Sequence, residues 1–284
     1  MIRASINAAK TCLATVLLAL LALLALLAFP GAAQATRPGD VLQAELRPGW
    51  RAADGTHMTA LHLRLADGWM TYWRVPGAGG LPLRIDWAGS TNLRGARKHW
   101  PAPTIFNTNG HTNYGFAREL VLPIEIAPED AGAPITLDAA AVLGVCKDIC
   151  IPVDLHLRGT LGAPGSHDPL IEASLARTPR PARDSGLRDI RCTLTPDERG
   201  GLRLAVELDM PSLGPSERLV IEAPGRDIRA RALGSTRNGS TLRGEALLRE
   251  RGGAAPAALD RSRLRMTVLS DAGAVEHRGC ALER

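Results

Sequence analysis

The chain has 284 residues, with 34 basic and 29 acidic side chains and a formal charge of +5 at pH 7. Its arginines are interspersed with acids, as in Arg226-Asp227 and Arg249-Glu250-Arg251, which reads as a solvated surface and excludes a nucleic-acid-binding stripe. After residue 30 no stretch is long and apolar enough to cross a bilayer.

Residues 1–35 are expected to be a signal peptide. Arg3 and Lys10 form a positive start, residues 13–29 are almost unbroken Leu and Ala, and Ala33-Gln34-Ala35 supplies the small-x-small cleavage pattern. An uncleaved anchor is the alternative, and the Ala-x-Ala ending favours cleavage after Ala35. Cys12 precedes the apolar run, which excludes a lipoprotein. Cleavage leaves 284 − 35 = 249 residues with no membrane span, a formal charge of 5 − 2 = +3, and four cysteines. That length suits two modest domains.

The hydrophobic period along the exported part is two. Leu61, Leu63 and Leu65 alternate with His62 and Arg64. Leu120, Leu122, Ile124 and Ile126 share one parity, as do Val153, Leu155 and Leu157. Further on, Leu202, Leu204, Val206 and Leu208 alternate with Arg203, Ala205 and Glu207, and Leu264, Met266 and Val268 repeat the pattern. Short alternating strands between Gly, Pro and Asp clusters predict an all-β chain of antiparallel sandwiches. All five tryptophans, both tyrosines and the two phenylalanines beyond the leader lie between Trp50 and Phe116, so two separate cores are expected. The boundary falls in a Pro-, Gly- and charge-rich stretch at 163–186, between a first domain at 36–162 and a second at 187–284. Asp168 followed by Pro169 reads as a cap and first position of one short helix at 170–177.

The chemistry rests on Cys146-Lys-Asp-Ile-Cys150. A strand-like run enters, three residues intervene and an alternating strand leaves, which is an ordinary hairpin. The two cysteines then oppose each other as the last cross-strand pair, with Cα atoms about 4.5–5.5 Å apart, inside the range a disulfide accepts. A five-residue loop contributes only about 2 kcal/mol on the chain-entropy account, against roughly 4–5 kcal/mol for a loop from Cys192 to Cys280. A redox pair is therefore the leading reading. A hairpin staple is the bland one, and a copper(I) site completed by His156 or His111 is the third. Cys192 shares parity with Ile190 and Leu194 and Cys280 lies near the chain end, so that pair reads as a structural bridge from the first strand to the last. No cofactor and no resident metal are expected.

Several runs together resemble a known family: Asp67-Gly-Trp-Met-Thr-Tyr-Trp-Arg-Val-Pro-Gly-Ala-Gly-Gly-Leu-Pro, Asp86-Trp87, Trp100-Pro-Ala-Pro103, Tyr114-Gly-Phe116 and Val145-Cys-Lys-Asp-Ile-Cys-Ile-Pro152. These are similar to the amino-terminal domain of DsbD-like protein-disulfide reductases, in the branch that includes the ScsB proteins of copper-stress systems. Arg191-Cys192-Thr-Leu, the run from Arg261 to Leu269 and Gly279-Cys280 extend the likeness through the second half. The resemblance implies two tandem immunoglobulin-like sandwiches joined by a linker with a short helix, in the periplasm, with Cys146 and Cys150 as the active pair. It implies a thioredoxin-like or membrane-embedded thiol reductant as one partner and oxidised periplasmic proteins as the other. It also implies an aromatic cap loop over the pair, for which Phe106, Tyr114 and Phe116 are the candidates, in or beside the stretch 103–115. The spacing departs from that of the best-known DsbD proteins, and no membrane or thioredoxin-like domain follows, so the reductant is expected to be another polypeptide. Two other functions remain open: a copper(I)-binding protein, and a non-catalytic sandwich that docks a partner.

Overall fold

A computed structural model describes residues 38–77, 79–108, 110–162, 164–198, 200–223 and 228–280. The expected signal peptide lies outside the described residues. Among them no helix is long and apolar enough to cross a membrane.

The alternating runs form the strands of a first sandwich. One sheet has the order β1-β2-β8-β5, built from β1 (Leu42–Arg51), β2 (His57–Leu65), β8 (Glu119–Ala127) and β5 (Gly95–Lys98). The facing sheet has the order β10-β9-β3-β7-β6, from β10 (Cys150–Leu161), β9 (Ile135–Cys146), β3 (Met70–Gly77), β7 (His111–Ala117) and β6 (Thr104–Thr108), with β4 (Arg84–Asp86) also paired to β9. Leu61, Leu63, Leu122, Ile124, Ile126, Ile135 and Leu143 turn inward and are fully buried with Trp73. Each such side chain contributes about 1.5–3 kcal/mol relative to exposure.

The opposite parity of the β1-β2-β8-β5 sheet is covered as well. A helix at Pro169–Leu175 opens where Asp168 Oδ1 accepts the N–H groups of Leu170 and Ile171 at 2.9 and 3.4 Å. It lays Ile171 against Ala60 and Val121, and its Ser174 hydroxyl donates to Val121 O at 2.6 Å. His62, polar by its place in the alternation, is nonetheless buried beside Glu119, whose carboxylate lies 2.6 Å from its Nε2.

The second sandwich stacks the sheet β12-β13-β16-β15 on the sheet β11-β18-β17-β14. The first comprises β12 (Asp189–Pro196), β13 (Leu202–Asp209), β16 (Thr241–Glu250) and β15 (Ile228–Asn238); the second comprises β11 (Arg180–Pro181), β18 (Gly273–Arg278), β17 (Arg265–Ser270) and β14 (Arg218–Glu222). All pairings are antiparallel except the two-residue contact of β11 with β18. The core of this sandwich is aliphatic, around Leu204, Val206, Leu248, Leu264 and Met266, with no aromatic residue.

The two sandwiches are in direct contact. Val220, Leu269 and Ala274 of the second join the apolar cluster of the first. Arg74 on β3 reaches across to Glu222 at 2.9 Å, Glu276 at 2.8 Å and the Thr267 hydroxyl at 3.1 Å, with its guanidinium 4.0 Å from the Trp73 ring centroid.

Candidate redox site

The strands β9 and β10 form a hairpin in full register, from Ile135 opposite Leu161 to Cys146 opposite Cys150. Lys147, Asp148 and Ile149 make the turn, closed by the Lys147 N–H on Ile149 O at 3.0 Å. Cys146 and Cys150 are joined by a disulfide, with Cα atoms 4.1 Å apart. Because β10 is an edge strand, it tolerates Pro152, which has no N–H to give a ladder.

The surroundings of the pair come from a change of partner along β9. The strand β3 pairs with it only at Met70–Cys146 and Thr71–Val145. Beyond that point β3 peels away, and Gly144 N–H is taken by Leu81 O at 2.9 Å before β4 resumes the ladder at Val142. The Thr71 hydroxyl satisfies the released Gly144 carbonyl at 2.9 Å. Tyr72 enters the gap, and its hydroxyl stands 3.0 Å from Cys146 Sγ, 3.4 Å from Cys150 Sγ and 3.4 Å from Gly79 O. Burial pushes the Tyr72 hydroxyl above the usual tyrosine range, so it keeps its proton and is a donor at neutral pH.

The two sulfurs differ in access. Cys146 is 4% exposed, whereas Cys150 belongs to the exposed turn, next to Ile149 at 64%. Lys147 lies across Gly68, where an added Cβ would stand 3.0 Å from Lys147 Cε. Cys192 and Cys280 form a second disulfide, both buried, with Cα atoms 6.1 Å apart.

Two of the three cap candidates lie elsewhere than a cap requires. Tyr114 is buried edge-on to Trp73 at 6.4 Å, and Phe116 is buried and stacked on Trp100 at 6.3 Å, so both are core residues. They alternate with Asn113 and Gly115 on β7, and that alternation is a strand signal within a stretch whose Asn and Gly content suggests a loop. Phe106 is half-buried on β6, three strands from β9 and so about 14 Å away at the usual strand spacing. The element that covers the pair is instead Tyr72 with Gly79–Leu81. Its sequence signal was the shared parity of Met70 and Tyr72, which carries no information about the distant strand they meet.

The histidines offered for a copper site are not brought to the sulfurs. His156 lies six residues along β10 from Cys150, and His111 lies six residues along β7 from Ala117, the residue that shares Met70 with Cys146. Each separation is about 20 Å of strand. Among the described residues no group of three His, Cys, Asp or Glu side chains is arranged for a metal ion.

Comparison with known proteins agrees with this architecture. Residues 40–161 match the family described as thiol:disulfide interchange protein DsbD, N-terminal. The fold is similar to that in the crystal structure of the N-terminal periplasmic domain of ScsB from Proteus mirabilis, with a TM-score of 0.66 and 22% identity, covering 88% of this chain and 97% of that one. No curated protein matches the chain. Residues 40–161 are thus consistent with a DsbD N-terminal-like domain, and a second sandwich follows them.

Proposed function

We propose that the chain is a periplasmic electron relay, passing two electrons through Cys146 and Cys150 from a thioredoxin-like or membrane-embedded dithiol to oxidised proteins. The observation that carries this reading is an exposed Cys150 bonded to a buried Cys146 at the tip of a hairpin. Each exchange has two steps. In loading, a donor thiolate attacks Cys150 Sγ, the Cys146–Cys150 bond breaks, and Cys146 leaves as a thiolate facing the Tyr72 hydroxyl. The donor's second thiol then displaces Cys150, so the donor becomes a disulfide and the pair a dithiol. In delivery, the Cys150 thiolate attacks the substrate disulfide, and Cys146 resolves the mixed disulfide, regenerating the starting bond and releasing the substrate as a dithiol.

The family match over residues 40–161 and the likeness to a periplasmic domain support both the chemistry and the compartment. A bridge closing so short a loop contributes about 2 kcal/mol, which leaves little structural reason for it.

Single-cysteine variants test the reading. With a single-cysteine thioredoxin carried as its thionitrobenzoate mixed disulfide as probe, reduced Cys146→Ser is expected to expel thionitrobenzoate and accumulate a stable mixed disulfide through Cys150, visible on a non-reducing gel, while Cys150→Ser gives little. No adduct from either variant would end the relay proposal.

A further inference from the structure

We infer that the Gly79–Leu81 segment decides which of the two sulfurs a partner reaches, with Gly80 as its critical residue. The inference rests on the relay reading and assigns a determinant of selectivity within that site. Gly80 lies flat on the Tyr72 ring: an added Cβ would stand 2.5 Å from both Cδ1 and Cε1 and 2.7 Å from Cζ. One residue on, Leu81 lies on Gly144 of β9, where an added Cβ would stand 3.1 Å from Leu81 Cβ and 3.2 Å from Leu81 O. Neither glycine has a left-handed backbone, so φ does not require them. What excludes a side chain at both places is contact. Two glycines on separate elements thus let the segment press onto Tyr72 from one side and onto β9 from the other.

The consequence falls on Cys146. Substitution at a disulfide sulfur proceeds with the incoming thiolate opposite the leaving sulfur. Tyr72 contacts Cys146 Sγ, Gly79 and Gly80 hold Tyr72, and Met70 faces Cys146 from β3. These groups shield the buried sulfur, while Cys150 stays open at the turn. Exchange is therefore one-ended, and the cover over Tyr72 makes it so.

Alkylation of the fully reduced protein by iodoacetamide, read residue by residue by mass spectrometry, tests this independently of any partner. The wild type is expected to react at Cys150 at least tenfold faster than at Cys146. Gly80→Ala, which forces the segment off the Tyr72 ring, is expected to raise the Cys146:Cys150 ratio about tenfold without changing the Cys150 rate more than twofold. Gly144→Ala, whose added Cβ would stand 3.1 Å from Leu81 Cβ and 3.2 Å from Leu81 O, pushes the same segment from its other side and is expected to raise the ratio at least threefold. Equal labelling in the wild type, or an unchanged ratio in folded Gly80→Ala or folded Gly144→Ala, would overturn the inference. Failure of the relay would appear separately, as absent mixed disulfide in the trapping experiment with labelling selectivity intact.

Discussion

The hydroxyl of Tyr72 stands 3.0 Å from the sulfur of Cys146, a contact between residues 74 apart in the chain. In the disulfide the sulfur is a weak acceptor; once Cys146 leaves as a thiolate it is a charged one. Hydrogen bonds to charged groups contribute about 1.5–3 kcal/mol. Tyr72→Phe is therefore expected to slow exchange with a dithiol probe roughly tenfold and to move the appearance of ultraviolet thiolate absorbance to higher pH, with the fold intact. An unchanged rate and an unchanged titration would mean that the hydroxyl only fills space.

Arg74 holds the sandwiches together in a partly buried setting, its side chain 13% exposed and those of Glu222 and Glu276 at 21% and 17%. Removing it leaves the two carboxylates of the second sandwich with Arg265, at 3.9 Å from Glu222 and 3.5 Å from Glu276, and Arg278, at 3.2 Å from Glu276, as their remaining cations. Loss of one partner of a fully buried pair costs about 3–5 kcal/mol, and the residual exposure here reduces that to about 2–3 kcal/mol. Arg74→Met should lower stability by that amount in urea titration. Adding Glu222→Gln and Glu276→Gln should recover only part of the loss, since Arg265 then loses both of its carboxylate partners.

Burial lowers the pKa values of His57 and His277 from the usual 6.5. Above that pH both residues are neutral in folded and unfolded chains and contribute nothing. As pH falls below about 6.5 the unfolded chain binds protons there and the folded one does not, so stability declines. Asp168 and Asp209, whose carboxyls sit below their usual value of 3.8, act in a separate and more acidic window; Asp209 reaches about 2. Melting temperature should therefore start to fall below about pH 6.5, and His57→Gln combined with His277→Gln should flatten that first decline. A profile identical to the wild type's would exclude these residues as its source.

The disulfides should separate by function. Cys192 and Cys280 close a separation of 88 residues, for which the chain-entropy account gives about 4–5 kcal/mol, against about 2 kcal/mol for Cys146 and Cys150. Cys192→Ala with Cys280→Ala should shift the denaturation midpoint strongly and leave exchange at Cys150 untouched. A larger stability loss from removing the hairpin bridge would reverse the assignment.

Much of the architecture was legible in the alternation of single strands. Leu120, Leu122, Ile124 and Ile126 face one core as their parity requires, and the spacing of Cys146 and Cys150 already specified the hairpin. The separation of aromatic from aliphatic residues marked two cores, although three residues of the second sandwich complete the first. What was not legible depends on register between distant strands. Periodicity places Tyr72 on a face but does not say that β3 meets β9 at Met70 and Cys146. Nor does it identify the partners of Arg74, which lie 148 and 202 residues away. Tyr114 and Phe116 sit beside a stretch of loop-like composition, yet their alternation with Asn113 and Gly115 is that of a strand and both side chains enter the core.

The reduction potential of the Cys146–Cys150 pair, fixed by equilibration against defined thiol–disulfide buffers, tests the account most directly. A relay requires a value between about −270 and −120 mV, the span of known exchange proteins. A value below about −300 mV, where structural bridges lie, would contradict it.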